Sequence, residues 1–106
     1  MIKWGILGTG SIAKSFAQAL TEAEGSKLEA VASRTLQRAS SFAKEYQVQA
    51  FETYQSLIDS NECDAIYIAT PHPDHFELAL SAIRQKKAVL CEKPMTINAT
   101  ETMVLI

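Results

Sequence analysis

An apolar run from Ile2 to Leu7 breaks at Gly8-Thr9-Gly10, and the chain then resumes with Ala13, Phe16, Ala17 and Leu20 at i, i+3, i+4 and i+7. A strand, a tight glycine turn and an amphipathic helix in immediate succession are what that pattern predicts. The same alternation recurs to the end of the sequence. The first helix is expected to stop near Gly25, followed by a second strand over Lys27 to Ser33. Thr35 can cap a helix that buries Leu36, Ala39, Phe42, Ala43 and Tyr46, after which Gln49 to Phe51 makes a short third strand. Thr53 can cap a further short helix carrying Tyr54, Leu57 and Ile58. Ala65 to Ala69 is apolar almost without interruption, as a strand covered on both faces must be. Phe76, Ala79, Leu80 and Ile83 form the next helical stripe, with Pro73 in its first turn and Lys86 and Lys87 at the negative end of its dipole, and Ala88 to Cys91 reads as a fifth strand. Strands alternating with helices of this length require right-handed crossovers. The expected fold is therefore α/β, a single domain over residues 1–106 built on a Rossmann-type doubly wound parallel sheet in the order 3-2-1-4-5.

The last residues predict something different. Asn98 and Glu101 have the spacing of a capping box, which announces a new helix through Met103, Val104, Leu105 and Ile106. Four apolar residues make an unfavourable terminus, so the sequence is expected to be a fragment of a longer protein. With 106 residues, 47% of them hydrophobic and 21% charged, the chain can bury one ordinary core. Ten basic side chains against 12 acidic ones give a net charge of -2, so neither nucleic acid nor a membrane is an expected partner. No apolar run approaches the roughly 18 residues of a membrane span, and a strand starting at Ile2 leaves no room for a signal peptide, so a cytoplasmic protein is expected. Cys63 and Cys91 have no C-x-x-C spacing and are read as reduced, buried and without chemistry.

The glycine turn has the form G-x-G-x-x-A, and its context gives it a chemical meaning. Gly8 permits the bend and Gly10 lets backbone N–H groups approach a pyrophosphate. Ala13 lets the helix lie close to the strand, and the helix start, Ser11 and Ile12, presents its positive dipole to the anion. Selectivity for NAD calls for an acid about 20 residues past the turn, on the ribose 2′-hydroxyl. Here that stretch reads Ser33-Arg34-Thr35-Leu36-Gln37-Arg38, with no acid. Ser33 and Thr35 can donate hydrogen bonds to a 2′-phosphate, and Arg34 and Arg38 can donate charge-assisted ones, so NADP is the expected cofactor ahead of NAD.

Two more segments follow strands on the edge where such sheets bind ligands. Ala69-Thr70-Pro71-His72-Pro73-Asp74-His75 comes after the fourth strand, and Cys91-Glu92-Lys93-Pro94 after the fifth. His72 and His75 alone make a poor metal site, so no metal is expected; polar contact with the cofactor suits them better. Lys93, held beside a proline at the exit of a buried strand, can donate to a substrate oxygen and help move a proton while the cofactor carries hydride.

Gly8-Thr9-Gly10-Ser11-Ile12-Ala13, Ala69-Thr70-Pro71 and Glu92-Lys93-Pro94, in this order and at these separations, resemble the nucleotide-binding half of the Gfo/Idh/MocA oxidoreductases. The resemblance extends over essentially the whole chain. K-W-G-I at the start, H-P-D-H at 72–75 and K-A-V-L-C-E-K-P at 87–94 most resemble the branch that contains dimeric dihydrodiol dehydrogenase and D-xylose dehydrogenase, which favours NADP. The resemblance implies that Lys93 is the active-site lysine, flanked by Glu92 and Pro94. It also implies a second, C-terminal α+β domain that supplies the substrate pocket, another acid-base group and much of a homo-oligomer interface. The longer protein would then be an NADP-dependent oxidoreductase acting on a secondary alcohol of a sugar, polyol or cyclic diol, while these 106 residues alone would bind NADP(H) without turnover. Two alternatives stand beside this: a non-catalytic NADP-binding regulator or sensor, and a Rossmann-like domain that holds no cofactor.

Overall fold

The computed structural model describes residues 1–70, 75–92 and 102–105, with backbone alone at 75, 76, 91, 92 and 102–105. Ten elements follow in the order β1 (Ile2–Leu7), α1 (Ser11–Glu22), β2 (Ser26–Ala32), α2 (Leu36–Tyr46), β3 (Gln49–Phe51), α3 (Tyr54–Asp59), β4 (Ala65–Ile68), α4 (His75–Arg84), β5 (Ala88–Glu92) and β6 (Thr102–Leu105). The first five strands are parallel and ordered 3-2-1-4-5, as the alternating pattern predicts; β6 adds an antiparallel edge beside β5.

Alternate residues of each strand feed two cores. Ile6, Val31 and Tyr67 pack with Ala13 and Ala17 of α1 and with Phe42 and Ala43 of α2. Leu7, Ala32, Ile66 and Ile68 pack on the other face with Leu57 and Ile58 of α3 and with Ala79 and Ala82 of α4. All four residues of β4 are buried, which is why its sequence shows no polar alternation. Gly5 sits in the middle of β1 because a Cβ there would lie 2.6 Å from Leu57 Cδ2 and 2.8 Å from Cys63 Sγ.

The start edge of the sheet is tied by hydrogen bonds. Ile2 N–H donates to Gly25 O at 2.7 Å, Asp64 N–H to Lys3 O at 2.7 Å, and Lys3 N–H to Asp64 Oδ2 at 3.0 Å. Gly25 takes φ +79, the left-handed backbone that swings the chain from α1 into β2.

Several expectations need correction. The segment expected to form a helix from Asn98 is a strand at Thr102–Leu105, pairing Leu90 with Val104 and Cys91 with Met103; the Asn98 and Glu101 capping box lies outside the described residues. A two-turn helix is marginal by itself, whereas the open edge of β5 offers hydrogen-bond partners to the backbone groups of the segment that face it. Leu36 is 47% exposed rather than buried, because it is the first residue of α2 and precedes the turn that meets the sheet. Leu80 is 36% exposed as well: α4 is rotated so that Ala79 and Ala82 face the core, and small residues there let the helix approach closely.

Lys87, expected at the negative end of the α4 dipole, is buried. Lys86 takes φ +63 after α4 ends, which turns Lys87 inward, and its ammonium donates to Ser60 O at 2.8 Å and Cys63 O at 3.0 Å. It therefore serves carbonyls just beyond α3, not the dipole of its own helix. The Cys63 thiol is free and buried beside this contact. Burial pushes its pKa up to about 12, against a smaller opposing pull from Lys87.

Candidate dinucleotide site

The carboxyl ends of β1, β2, β3 and β4 converge on one edge, and the glycine turn forms its floor. Gly8 has φ +112, and a Cβ on it would stand 2.7 Å from Ala69 O. Both the backbone angle and the close approach of the β4 exit loop exclude a side chain. The turn is fixed from both sides, Gly8 N–H donating to Ala32 O at 2.8 Å and Ala69 N–H to Leu7 O at 2.8 Å.

Gly10 has a different reason to be glycine. It caps α1 with an extended backbone and no side-chain hydrogen bond, and a Cβ on it would meet nothing within 4 Å. The space in front of the helix start is thus open, and no side chain caps the first-turn N–H groups of Ser11 and Ile12, which an anion can take. Ala13, fully buried, sets the close packing of α1 on the sheet.

Thr9 Oγ1 lies 3.4 Å from Ser33 Oγ, which joins the turn to the end of β2. Ser33 is only 5% exposed and forms part of the cavity floor, while Arg34 and Arg38 are exposed at its rim. Thr35 Oγ1 accepts from Arg38 N–H at 3.2 Å, so its acceptor capacity caps α2 and its own O–H is left to donate outward. A cavity of about 320 Å³ brings Gly8, Gly10, Ser33, Arg34, Arg38 and Thr70 together, with Thr9 and Ala69 also in its wall. A larger one of about 700 Å³ opens between α1 and α2, with Thr9, Gly10, Thr35 and Arg38 among its lining.

Ile12, 50% exposed, faces neither of these. It opens with Ser15, Phe16 and Tyr67 on a third space of about 380 Å³ on the other flank of α1, where the Phe16 and Tyr67 rings stack at 3.8 Å. The site residues expected from sequence are in this way divided between the two sides of the first helix. His75 opens α4 and Glu92 ends β5, whereas Pro71, His72, Lys93 and Pro94 lie outside the described residues. Among the described residues no cluster of three His, Cys, Asp or Glu side chains could hold a metal.

Some lining residues were not singled out by the sequence, Tyr54 and Lys14 among them. Tyr54 reads as the apolar side of a short helix, yet it borders the smaller cavity as the first residue of α3. Its position just past the end of a parallel strand was the available signal. Lys14 lines the larger cavity one turn into α1, and nothing in its local sequence marks it.

The family model for the oxidoreductase family with an NAD-binding Rossmann fold matches residues 2–106. The chain belongs to the Gfo/Idh/MocA family. Among curated Gfo/Idh/MocA relatives, trans-1,2-dihydrobenzene-1,2-diol dehydrogenase of Mus musculus is 38% identical over 99% of this chain and 32% of its own length. A structure described as a putative myo-inositol dehydrogenase from Sinorhizobium meliloti superposes with TM-score 0.85 at 31% identity, covering 93% of this chain and 30% of that one. A 3-ketoreductase from Actinomadura kijaniata, solved with NADP and TDP-benzene, does so with TM-score 0.84 at 34% identity, covering 90% and 30%. The chain thus spans about a third of the length of these Gfo/Idh/MocA proteins, and the part it matches is their nucleotide-binding Rossmann domain. Among the described residues no helix is long and apolar enough to cross a membrane.

Proposed function

We propose that this domain is the nucleotide-binding part of an NADP-dependent oxidoreductase that acts on a secondary alcohol of a sugar, polyol or cyclic diol. The observation that carries the cofactor choice is the end of β2: a buried serine and two exposed arginines share a cavity with the glycine turn, with no acid in the S-R-T-L-Q-R stretch. A carboxylate at Ser33 would repel a 2′-phosphate; a hydroxyl with flanking guanidinium groups attracts one. Gly8, Thr9, Gly10, Ser11 and Ile12 would hold the pyrophosphate and its neighbours, Ser33, Arg34, Thr35 and Arg38 the 2′-phosphate, and Ala69, Thr70, Pro71, His72 and His75 the edge of the dinucleotide along β4.

When bound, the nicotinamide supplies the hydride chemistry at its C4. The protein's own contribution is to orient the dinucleotide through the turn and to place Lys93, in the Glu92-Lys93-Pro94 motif after β5, where its ammonium donates to the substrate oxygen and passes on the proton. The relatives whose printed names are diol and inositol dehydrogenases support an alcohol as substrate class. The chain alone is expected to bind nucleotide without turnover. A cytoplasmic location belongs to the same proposal, supported by the free Cys63.

Titration with NADPH and NADH, followed through Trp4 fluorescence, tests the cofactor; tighter binding of NADH contradicts it. In the full-length protein, Lys93→Ala should abolish hydride transfer while NADPH affinity stays close to wild type. Normal turnover in that variant removes Lys93 from the chemistry.

A further inference from the structure

The larger of the two neighbouring cavities holds a cation that the proposed function leaves unused. Thr9, Gly10 and Arg38 line both spaces, so the cavities of about 700 and about 320 Å³ are neighbouring compartments that meet at the glycine turn. The smaller compartment has Ser33, Arg34 and Tyr54 in its wall, the larger Lys14, Thr35 and Glu45. Lys14 and Arg38 come from different helices, α1 and α2, and both line the larger compartment.

Lys14 has a partner that does not hold it firmly. Its ammonium lies 3.9 Å from Glu45 Oε1, and the two side chains are 53% and 54% exposed. An ion pair so long and so wet contributes little and is easily exchanged. A phosphate monoester brings a charge of roughly −1.5 to −2 and three acceptor oxygens, against one carboxylate that already shares its charge with solvent. A lysine poised over a cavity in this way is available to an incoming phosphate.

We propose that Lys14 is a specificity-determining residue, which together with Arg38 clamps the 2′-phosphate of NADP(H) from the α1 side and leaves Glu45 to do so. This rests on the NADP reading above. It adds a contact that a nucleotide with a free 2′-hydroxyl does not make, because such a ligand carries its charge at the glycine turn and none at the ribose 2′ position, where Arg38 stands. Lys14 therefore separates NADP from NAD rather than strengthening dinucleotide binding in general. Glu45 opposes the same step, both by holding Lys14 and by repelling the phosphate.

Calorimetric titration of the full chain with 2′,5′-ADP and with 5′-AMP tests the proposal on wild type, Lys14→Gln, Glu45→Gln and Arg38→Gln. Lys14→Gln is expected to weaken 2′,5′-ADP by about threefold to tenfold and to leave 5′-AMP unchanged. Glu45→Gln is expected to tighten 2′,5′-ADP alone. Because both side chains are half exposed, thermal unfolding of these variants should match wild type. If Arg38→Gln weakens 2′,5′-ADP and Lys14→Gln does not, the role of Lys14 falls while the NADP reading stands. Equal losses of both nucleotides in Lys14→Gln also overturn it. If wild type binds 2′,5′-ADP no better than 5′-AMP, both fall together.

Discussion

Thr9 and Ser33 touch hydroxyl to hydroxyl at 3.4 Å, so the turn after β1 and the end of β2 form one continuous floor. Cofactor choice at position 33 is consequently coupled to the turn itself. An aspartate there would accept from Thr9 and from ribose hydroxyls and would repel a 2′-phosphate. Ser33→Asp combined with Arg34→Gln should shift the NADPH-to-NADH affinity ratio by on the order of a hundredfold toward NADH. Unchanged NADPH affinity in a titration of that double variant would mean that the 2′-phosphate is held by other groups.

The two glycines of the turn should respond in opposite ways. Gly8→Ala combines a φ of +112 with a Cβ 2.7 Å from Ala69 O, and should lower folding stability by about 2–4 kcal/mol. Gly10→Ala places its methyl in open space and should cost only about 1 kcal/mol, as a poorer N-cap, yet lose nucleotide affinity because that space faces the helix start. Urea unfolding and NADPH titration on both variants separate the two effects.

Lys87→Met should cost about 2–3 kcal/mol of stability, because the carbonyls of Ser60 and Cys63 lose a charged donor in a buried place. Nucleotide affinity should not change, since the contact is at the opposite end of the sheet. Chemical denaturation combined with NADPH titration checks both halves.

Cys63 gives the pH prediction. Burial raises its pKa from 9.0 to about 12, so between those values the unfolded chain releases a proton that the folded chain keeps. Stability from this group is complete below pH 9.0 and falls as pH rises toward 12. Subtracting the unfolding curve of Cys63→Ala from that of wild type at pH 8, 9 and 10 isolates the effect; parallel curves would refute it.

The order of five parallel strands was legible because apolar runs and helical stripes alternate with little interruption from Ile2 to Cys91. The glycine turn and the S-R-T segment were legible for a related reason, since both stand at strand ends, where this fold gathers ligand groups. Lys87 was not, because a lysine after a helix normally points to water, and only the left-handed backbone at Lys86 turns it inward. Leu80 misled the helical stripe because a core face made of Ala79 and Ala82 leaves the larger neighbour outside, and Leu36 because it stands at the first position of α2, ahead of the turn that meets the sheet. Lys14 escaped notice because its importance comes from α2, which lies across the cavity rather than beside it in sequence. The strand at Thr102–Leu105 depends on the free edge of β5, a partner that no local pattern announces.

The hydrogen bonds that tie Ile2, Lys3 and Asp64 lie at one rim of the sheet, and the cavities with their exposed arginines lie at the other. Backbone ties brace both rims, and the second has open space above them. Nucleotide choice can therefore be retuned at exposed side chains such as Arg34 and Arg38 with little penalty to folding, while Gly8 and the buried Ser33 keep the shape of the floor beneath them.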